Sequence, residues 1–565
     1  MLKKEDKKSL KISYTLVFLT AIILLYQHLW VRGFFHDGYL YAAIGKNALL
    51  YGNWIVPYVS DINYPLYNQH PPLLFILEGI FFKIFGFNYV SARFFSVSWA
   101  FASIVLLTYF VGQSGNRVFA FYSGLIFALL PPLFKKARSP GLDITLMALI
   151  LFSIFFYYQA YQAYQANQAC KFSSFKRNRE KWKWFFYWIL AGIFFALCLW
   201  EKGPPALVVP MTVVLHLLLT GKLSILKKIM PWVSLLLGLA LFSLWPALLY
   251  LQGHEIIFWD YVNNQLFPTI VQGRGQKEFM LMLYPYYFFE NMGPWSILGI
   301  FGIVFIIRDF LFKWIKEIKE IKEIKGKNIF KRHHNVASGK ENEKFKNITL
   351  LFVSLFLVVV GAFSLVRWKY SNYIVPSFPA LAVLAAYPLT KLHDRFHRGF
   401  IFVYKRLLIV LTLSLLVFPL TTSITRDREI FKIVDVLENS SIYSAEYFSN
   451  IDVSQRETAR KVEKKLINWK IVNGIYPYYS LVNFASWEGY GEVTDLIMPE
   501  MEAYIEKCRH QKNMNAEKAV VLIDRDIYKF LNYKYGDDLN KAYIKLLDFR
   551  EKNMVALVTT TALSK

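Results

Sequence analysis

The chain has 565 residues, of which 55% are hydrophobic and 18% aromatic, and its formal net charge is +25. Apolar runs of near-spanning length recur along most of it, which excludes a soluble globular protein and indicates a polytopic α-helical membrane protein. The Lys and Arg residues cluster between these runs, where the positive-inside rule and anionic lipid headgroups account for them, so nucleic-acid binding is the weaker interpretation. The three cysteines, Cys170, Cys198 and Cys508, have neither metal-ligand spacing nor the pattern of a disulfide framework.

The N-terminal segment predicts the orientation of the chain. A Lys-rich stretch up to Lys11 precedes an apolar run from Ile12 to about Val31, and no small-residue cleavage motif follows that run. This pattern predicts an uncleaved first span with a cytoplasmic N-terminus. The loop that follows is then expected on the outer face.

The next apolar piece, Leu73 to Phe85, decides the topology. It is shorter than the roughly 20 residues that a span needs, and it contains Glu78 and Lys83. If it crossed the membrane, four later Lys-rich loops would all fall outside, against the positive-inside rule. We therefore interpret it as an amphipathic helix in the membrane interface, which returns these loops to the cytoplasm.

Ten further spans are predicted, and with the first they make about eleven, an odd number that places the C-terminal tail outside. They lie near 91–112, 118–134, 142–158, 184–200, 204–220, 230–251, 285–307, 348–366, 373–390 and 406–422. After about Thr422 the composition becomes charged and mixed, with a strand-like run at 519–523. Residues 1–422 are thus expected to form the transmembrane domain, and residues 423–565 a small soluble, extracytoplasmic α/β domain.

Two segments in predicted cytoplasmic loops are repetitive. Residues 159–169 follow a Tyr-Gln-Ala pattern, and residues 316–325 repeat Lys-Glu-Ile. The second pattern places Lys and Glu three residues apart, which is typical of a surface helix with a basic, lipid-facing edge. Neither repeat suggests chemistry.

Ionisable residues beside membrane segments are costly and are functional candidates by default. Asp37 stands in the first outer loop, just past the first span. A carboxylate there can act as the general base toward an acceptor hydroxyl. Capping of the helix predicted to follow it is the alternative role.

Two further outer turns carry candidate residues. Arg138 can clamp a phosphate while Asp143 orients it or binds a sugar hydroxyl, the alternative being a helix cap beside a snorkelling arginine. Lys202 precedes Gly203, which allows close backbone approach, so this turn suits a phosphate headgroup. A pair between Glu201 and Lys202 within the turn is the alternative there.

A later turn carries Arg367 and Lys369, two cations on the predicted outer side. They run against the positive-inside bias, which indicates an anionic partner. Tyr373 and the neighbouring aromatics equally suit an interfacial belt.

The chain has no HExxH motif and no close histidine pair at a rim, so zinc chemistry has weak support. It has no Walker or Rossmann glycine pattern either, and nothing therefore indicates nucleotide use.

Taken together, residues 34–384 resemble the polyprenyl-phosphate-sugar glycosyltransferases of the C superfamily, which include protein O-mannosyltransferases and the aminoarabinose transferase of lipid A. The resemblance lies in motifs that occur in the family's order: Asp37, Gly52-Asn53-Trp54, His70-Pro71-Pro72-Leu73-Leu74, Arg138 with Asp143, Lys202-Gly203-Pro204, Pro294-Trp295, and Lys369 with Tyr373, Pro376 and Pro379.

The chain departs from the family in the first outer loop. The usual acidic pair is Asp37-Gly38 here, the usual Glu-Lys before Pro-Pro is Gln69-His70, and Asn263-Asn264-Gln265 stands where some members place a histidine. A metal site built from those side chains is therefore doubtful, and a divalent metal stays open. Carrying the family's lysine chemistry over to His70 is doubtful for the same reason.

The resemblance implies a donor that carries a polyprenyl-linked sugar phosphate in the outer leaflet of the cytoplasmic (inner) membrane. Arg138, Lys202 and Lys369 would hold its phosphate, with Tyr373 and His70 also at the binding site. Asp37, with Asp143 as the second catalytic residue, would deprotonate a hydroxyl or amine of a lipid, glycan or protein acceptor, which attacks with inversion.

Two other classes of protein compete with this hypothesis. A transporter or flippase of lipid-linked saccharides would place ionisable groups near the bilayer midplane and often shows internal repeats. A non-catalytic membrane scaffold that presents the C-terminal domain would be indifferent to substitutions at the rim.

Overall fold

The structure is a computed structural model that describes residues 4–31, 34, 36–59, 66–169, 174–272, 283–324, 336–366 and 369–392, three residues between 406 and 410, and four strands near the C-terminus. The chain divides into two compact units. The first comprises Met1–Leu29, Asn68–Leu74 and Arg93–Thr421, and the second comprises Trp30–Tyr67, Phe75–Ala92 and Thr422–Lys565.

The described part of the chain is mostly helical. The α-helices are α1 (Lys4–Tyr26), α2 (His36–Tyr51), α3 (Leu73–Phe85), α4 (Tyr89–Gly112), α5 (Arg117–Leu129), α6 (Pro131–Ala137), α7 (Leu142–Ala169), α8 (Ser174–Lys202), α9 (Val208–Leu219), α10 (Ile229–Leu251), α11 (Glu255–Asp260), α12 (Leu283–Met292), α13 (Pro294–Ile324), α14 (Val336–Leu365) and α15 (residues 378–392). Short 3₁₀ or π turns occur at Pro204–Leu207, Leu223–Lys227, Tyr261–Leu266, Pro268–Gln272 and Ser371–Ser377.

The predicted polytopic α-helical membrane fold is confirmed. Among the described residues, six helices are long and apolar enough to cross a membrane, or up to eight if each of two bent pairs is one span. Two of the predicted spans fall on shorter apolar helices, Tyr14–Tyr26 and Pro204–Leu219. The span predicted at 406–422 lies almost entirely outside the described residues, so the total of about eleven stays a prediction.

Both bent pairs are broken at proline. The axes of α5 and α6 differ by 56°, and Leu130 between them is extended because the next residue, Pro131, disfavours helical backbone before it. The axes of α12 and α13 differ by 118°, and the intervening Gly293 takes a φ of +38° before Pro294. Each proline then serves as the first residue of the following helix, where its missing N–H costs nothing.

The first unit is built around α7. In the most apolar stretch of α7, 78% of the residues are buried inside the protein, whereas the corresponding figure for α10 is 22%. α7 packs on α8, where the Ser153 hydroxyl donates to the Ala191 carbonyl at 2.9 Å. α8 in turn packs closely on α10, since a Cβ at Gly192 would lie 2.6 Å from the Ser234 carbonyl oxygen. The ends of α7 and α8 are therefore held in fixed relation, and this relation positions the candidate site.

The helical part of the second unit contains α2 and most of α3. α3 has the bounds predicted from the sequence, Leu73–Phe85. The two helices approach closely, because a Cβ at Gly79 would lie 2.9 Å from the Gly45 carbonyl oxygen. The Asn47 amide donates to the Tyr58 and Val59 carbonyls at 3.2 and 2.7 Å and so fastens the segment that follows α2.

The C-terminal region holds a mixed four-stranded sheet of β1 (Trp469–Ile471), β2 (Val520–Asp524), β3 (Ile544–Phe549) and β4 (Met554–Thr559). The strand order is β1-β2-β4-β3, with β1 and β2 parallel and β4 antiparallel to both of its neighbours. The strand expected at 519–523 is present as β2. The predicted helices of this region lie outside the described residues, and its role as an extracytoplasmic domain stays a prediction.

Candidate functional site

The centre of the candidate site is an ion pair between two helix ends. Asp143 lies in the first turn of α7 and Lys202 is the last residue of α8, so each charge complements the macrodipole of its own helix. The Lys202 Nζ and Asp143 Oδ1 atoms are 2.5 Å apart, and the two side chains are 11% and 17% exposed. A largely buried but still reachable pair of this kind can exchange partners with a charged ligand.

Aromatic side chains surround the lysine of this pair. The Lys202 ammonium lies 5.6 Å from the centroid of the Tyr373 ring, within the range of a cation–π contact. The Tyr261 hydroxyl donates to the Lys202 carbonyl at 3.3 Å. Gly203 has a φ of +72°, and a Cβ there would collide with the Tyr261 hydroxyl, so the Lys-Gly-Pro turn requires glycine at this position.

Two more lysines are near the segment that carries Tyr373. The Lys136 ammonium, on α6, contacts the side-chain oxygen of Asn372. Lys369 precedes the 3₁₀ turn Ser371–Ser377 and donates to the Val366 carbonyl at 2.7 Å. Lys369 is only 4% exposed, and burial lowers its pKa. The turn therefore has one lysine, Lys136, in contact with it and a second, Lys369, two residues before it.

Sequence reasoning missed Lys136. A signal was available, because a Lys-Lys pair at 135–136 ends a predicted span on the outer side, against the positive-inside bias.

The Arg138 side chain contacts the end of α1 and not the Asp143–Lys202 pair. Its side chain is fully buried, and its Nη2 atom donates to the Gln27 carbonyl at 2.7 Å, just past the end of α1. Arg93, also fully buried and also missed by sequence reasoning, donates to the carbonyls of Arg138 and Leu29 at 3.2 and 2.9 Å. Burial lowers the pKa of Arg138 to about 10, so the guanidinium stays charged at neutral pH. These contacts fasten the end of α1 to the turn before α7.

The remaining predicted residues come from the first outer segment. Asp37 is exposed in the first turn of α2 and belongs to the second unit. A carboxylate in the first turn stabilises its helix through the macrodipole, but Asp37 lies inside α2 and not at the N-cap position considered from the sequence. His70 is half-buried in the first unit. Asn68, two residues before His70, donates to the Asp260 carboxylate at 3.4 Å. Asp260 directly precedes Tyr261, whose hydroxyl contacts the Lys202 carbonyl.

The structure therefore brings together Asp143, Lys202 and Tyr373, with Lys369 just before the tyrosine's turn. Arg367 lies outside the described residues. Within the ranges that the structure describes, no three His, Cys, Asp or Glu side chains form a group that could hold a metal ion.

The chain is similar in sequence to several known proteins. Residues 69–246 match the family model of dolichyl-phosphate-mannose-protein mannosyltransferase, a segment that includes His70, Arg138, Asp143 and Lys202. An uncharacterized protein of Aquifex aeolicus (strain VF5) is 23% identical over 66% of this chain and 63% of its own length. The undecaprenyl phosphate-alpha-4-amino-4-deoxy-L-arabinose arabinosyl transferase 2 of Proteus mirabilis (strain HI4320) is 28% identical over 39% of this chain and 36% of its own length.

Solved structures extend the likeness to the whole fold. ArnT from Cupriavidus metallidurans, bound to undecaprenyl phosphate, has a TM-score of 0.59 at 14% identity, with 100% of both chains covered. The archaeal oligosaccharyltransferase AglB from Archaeoglobus fulgidus, in complex with an inhibitory peptide and a dolichol-phosphate, has a TM-score of 0.53 at 12% identity, over 99% of this chain and 75% of that one. The fold of this chain is therefore similar to the folds of ArnT and AglB.

The resemblance to polyprenyl-phosphate-sugar glycosyltransferases that the motifs indicated is confirmed by the family model, the curated relatives and the structural neighbours. The chain spans less than two thirds of the length of the first relatives named above.

Proposed function

We propose that the protein is a glycosyltransferase that moves a sugar from a polyprenyl-phosphate donor to a lipid, glycan or protein acceptor at the outer face of the cytoplasmic membrane. The observation that carries this proposal is the Asp143–Lys202 pair beside Tyr373, in a chain with the fold of ArnT. A structure of that neighbour holds undecaprenyl phosphate, and one of AglB holds a dolichol-phosphate. Both ligands are lipid phosphates, which a cationic site recognises.

Lys202 is the group we assign to the donor phosphate. Its ammonium is already partly desolvated and is held in place by an acid and an aromatic ring, so it is preorganised for a second anion. As the bond between the sugar and the phosphate breaks, negative charge grows on the leaving polyprenyl phosphate, and fixed cations stabilise that charge most effectively in a site with little water. Lys369, just before the turn that carries Tyr373, adds a second cation to this region.

The transfer itself needs a base. In the proposed reaction the acceptor O–H or N–H proton passes to Asp37, and the acceptor atom forms a bond to the anomeric carbon while the bond from that carbon to the phosphate oxygen breaks. The products are an inverted glycoside and polyprenyl phosphate. Asp143 holds Lys202 in place before the donor binds and is available to a sugar hydroxyl afterwards, and His70 and Tyr373 line the donor. A divalent metal is not required by this scheme.

The test of this proposal uses the full chain in nanodiscs with a panel of undecaprenyl-phosphate-linked hexoses and pentoses, and it measures release of undecaprenyl phosphate. Lys202→Met is expected to lower turnover by about 10²- to 10³-fold, the usual cost of removing one group that stabilises developing charge. Lys202→Arg, which keeps the charge, is expected to retain more activity than Lys202→Met. Lys222→Met, an exposed lysine beyond the far end of α9, serves as the control.

Equal turnover by wild type and Lys202→Met would remove the ion pair from the mechanism. Transport of an intact lipid-linked saccharide without release of the lipid phosphate would favour the flippase alternative.

A further inference from the structure

Helix α12 packs against two elements that border the candidate site. One is α6, whose Lys136 contacts Asn372, and the other is the 3₁₀ turn Ser371–Ser377, which carries Tyr373. The transfer scheme proposed above gives no role to any residue of α12. The side chains that this helix places near the site therefore need an explanation of their own.

One face of α12 is buried and fixed in place. Tyr284, Phe288 and Met292 are buried and follow one another at four-residue spacing, so they lie on the same side of the helix. The centroid of the Phe288 ring is 5.7 Å from that of Phe356 on α14, and the Ser296 hydroxyl donates to the Phe288 carbonyl at 2.7 Å. These contacts hold Tyr284, in the first turn of α12, in a defined position.

Two tyrosines in the first half of α12 lie near residues of the candidate site. The Tyr284 hydroxyl is within electrostatic range of the Tyr373 hydroxyl, and the Tyr287 hydroxyl is within range of the Asp143 carboxylate. The Tyr373 ring in turn lies 5.6 Å from the Lys202 ammonium. The first half of α12 therefore stands beside the Asp143–Lys202 pair.

The Tyr284 hydroxyl is fully buried, and it has no hydrogen-bond partner within the described residues. By contrast, Tyr387, which is also buried, donates to Asp309 at 2.9 Å. A buried hydroxyl without a partner lowers stability, and phenylalanine would fill the same space without that cost. Buried polar atoms nearly always have partners, so an orphaned hydroxyl beside a cationic site points to a ligand that accepts its hydrogen bond.

We propose that Tyr284 donates a hydrogen bond to the phosphate of the lipid donor. This inference rests on the proposed function, and it adds a neutral group to the cations of the site. A phosphate has several acceptor oxygens, so one can accept from Lys202 while another accepts from Tyr284. The phosphate approaches past Tyr373, which is only half-buried and borders the partly exposed ion pair.

A hydroxyl suits this buried position better than a further lysine. Burying another charge in the empty site would be costly, whereas a neutral hydroxyl is cheaper to bury. Once the phosphate is bound, an O–H donor to its charged oxygen makes a charge-assisted hydrogen bond, which is roughly twice as strong as a neutral one. Tyr284 is therefore assigned as a binding residue that distinguishes a lipid phosphate from an uncharged lipid.

The experiment uses the full chain in phosphatidylcholine nanodiscs with increasing amounts of undecaprenyl phosphate, and native mass spectrometry measures the bound lipid. Tyr284→Phe keeps the ring and removes only the hydroxyl, and it is expected to weaken binding about tenfold or more. Tyr286 is an exposed member of the same helix, so Tyr286→Phe is the matched control and is expected to bind like the wild type. Undecaprenol, which lacks the phosphate, is expected to bind equally to all three proteins.

Thermal unfolding without added lipid separates this role from a structural one. Tyr284→Phe is expected to melt at the wild-type temperature or above it, because the variant loses only a hydroxyl that has no partner. Equal affinity of the wild type and Tyr284→Phe for undecaprenyl phosphate would overturn the assignment, even in a protein that transfers sugar. So would an equal loss of affinity for undecaprenol.

The same proteins show whether the assignment or the transfer reaction fails. Weaker binding by Tyr284→Phe, in a chain whose wild type releases no undecaprenyl phosphate from sugar-linked donors, would support the phosphate contact and contradict the transfer. Release by the wild type together with unchanged binding by Tyr284→Phe would support the transfer and contradict the contact. A wild-type protein that does not bind undecaprenyl phosphate would contradict both.

Discussion

Single residues in this molecule carry charge where helices begin and end. Asp143 and Asp37 lie in the first turns of α7 and α2, and Lys202 ends α8. Each charge is stabilising for its own helix, by about 0.3–1 kcal/mol in exposed positions. The structural and the functional roles considered for these residues are therefore compatible, because a helix end can both hold a charged side chain and present it to a ligand.

Glu78 leads to a prediction about pH. It is fully buried on α3 against Gly45, and neither carboxylate oxygen has a hydrogen-bond partner within the described residues. Burial raises the pKa of this carboxyl well above its ordinary value of 4.5. The folded state thus holds the proton more tightly than the unfolded state, so Glu78 lowers stability progressively as the pH rises above that value.

Glu78→Gln removes this titration. The melting temperature of the variant minus that of the wild type, measured in one detergent across pH 4.5–8, is expected to increase with pH. A difference that stays constant over this range would show that Glu78 is ionised, or already compensated, in the folded protein.

Lys136 leads to a prediction about donor binding. Its ammonium contacts Asn372, whose neighbour Tyr373 lies against Lys202. Loss of a hydrogen bond to a charged group costs about 1.5–3 kcal/mol, so Lys136→Met is expected to raise the KM for the lipid-phosphate donor about tenfold or more. The adjacent Lys135 is exposed, and Lys135→Met is the control. An equal change of KM in both variants would show that Lys136 acts only through the general positive charge of the surface and not through its contact with Asn372.

Among the elements, the close helix contacts depend on glycine. α13 packs on α15 where a Cβ at Gly302 would overlap the backbone of Leu384, whereas a Cβ at Gly361 on α14 would meet nothing within 4 Å. Contacts of this kind, with small residues at the crossing, are common between membrane helices because they let backbones approach.

Gly302→Ala is therefore expected to lower the melting temperature, because the backbone it would collide with cannot rotate away. Gly361→Ala is the matched control, and it is expected to have no effect or to stabilise, since alanine favours a helix by about 1 kcal/mol over glycine. Fluorescence-detected unfolding of both variants measures this. A loss of stability in Gly361→Ala as large as that in Gly302→Ala would contradict the packing described for α13.

The sequence was sufficient for the local features of these elements. Apolar length predicted α3 with the right bounds, and the composition change near Thr422 together with a short β-branched run predicted the strand that became β2. Both are set by patterns within one segment. By contrast, the contact between Lys136 and Asn372 joins positions 236 residues apart, and the role of Arg93 depends on the carbonyls of a distant helix end. Contacts of this kind follow from the packing of whole helices and are invisible to periodicity.

At the scale of the whole molecule, the candidate site depends on the antiparallel pairing of α7 and α8. Asp143 and Lys202 are 59 positions apart, yet the two helices return to the same level and place one charge beside the other. The sequence predicted both residues through the family's motifs, and it predicted their common side through the positive-inside rule. It could not predict that the two form a pair, because Glu201 was an equally available partner for the lysine.

The most direct test of the proposed transfer compares the wild-type protein with Asp37→Asn in nanodiscs, using a polyprenyl-phosphate-sugar donor and measuring both donor binding and release of polyprenyl phosphate. The account predicts equal donor binding and a rate of release about 10²- to 10⁴-fold lower in the variant, because only the general base is lost. Unchanged release by the folded Asp37→Asn variant would contradict it.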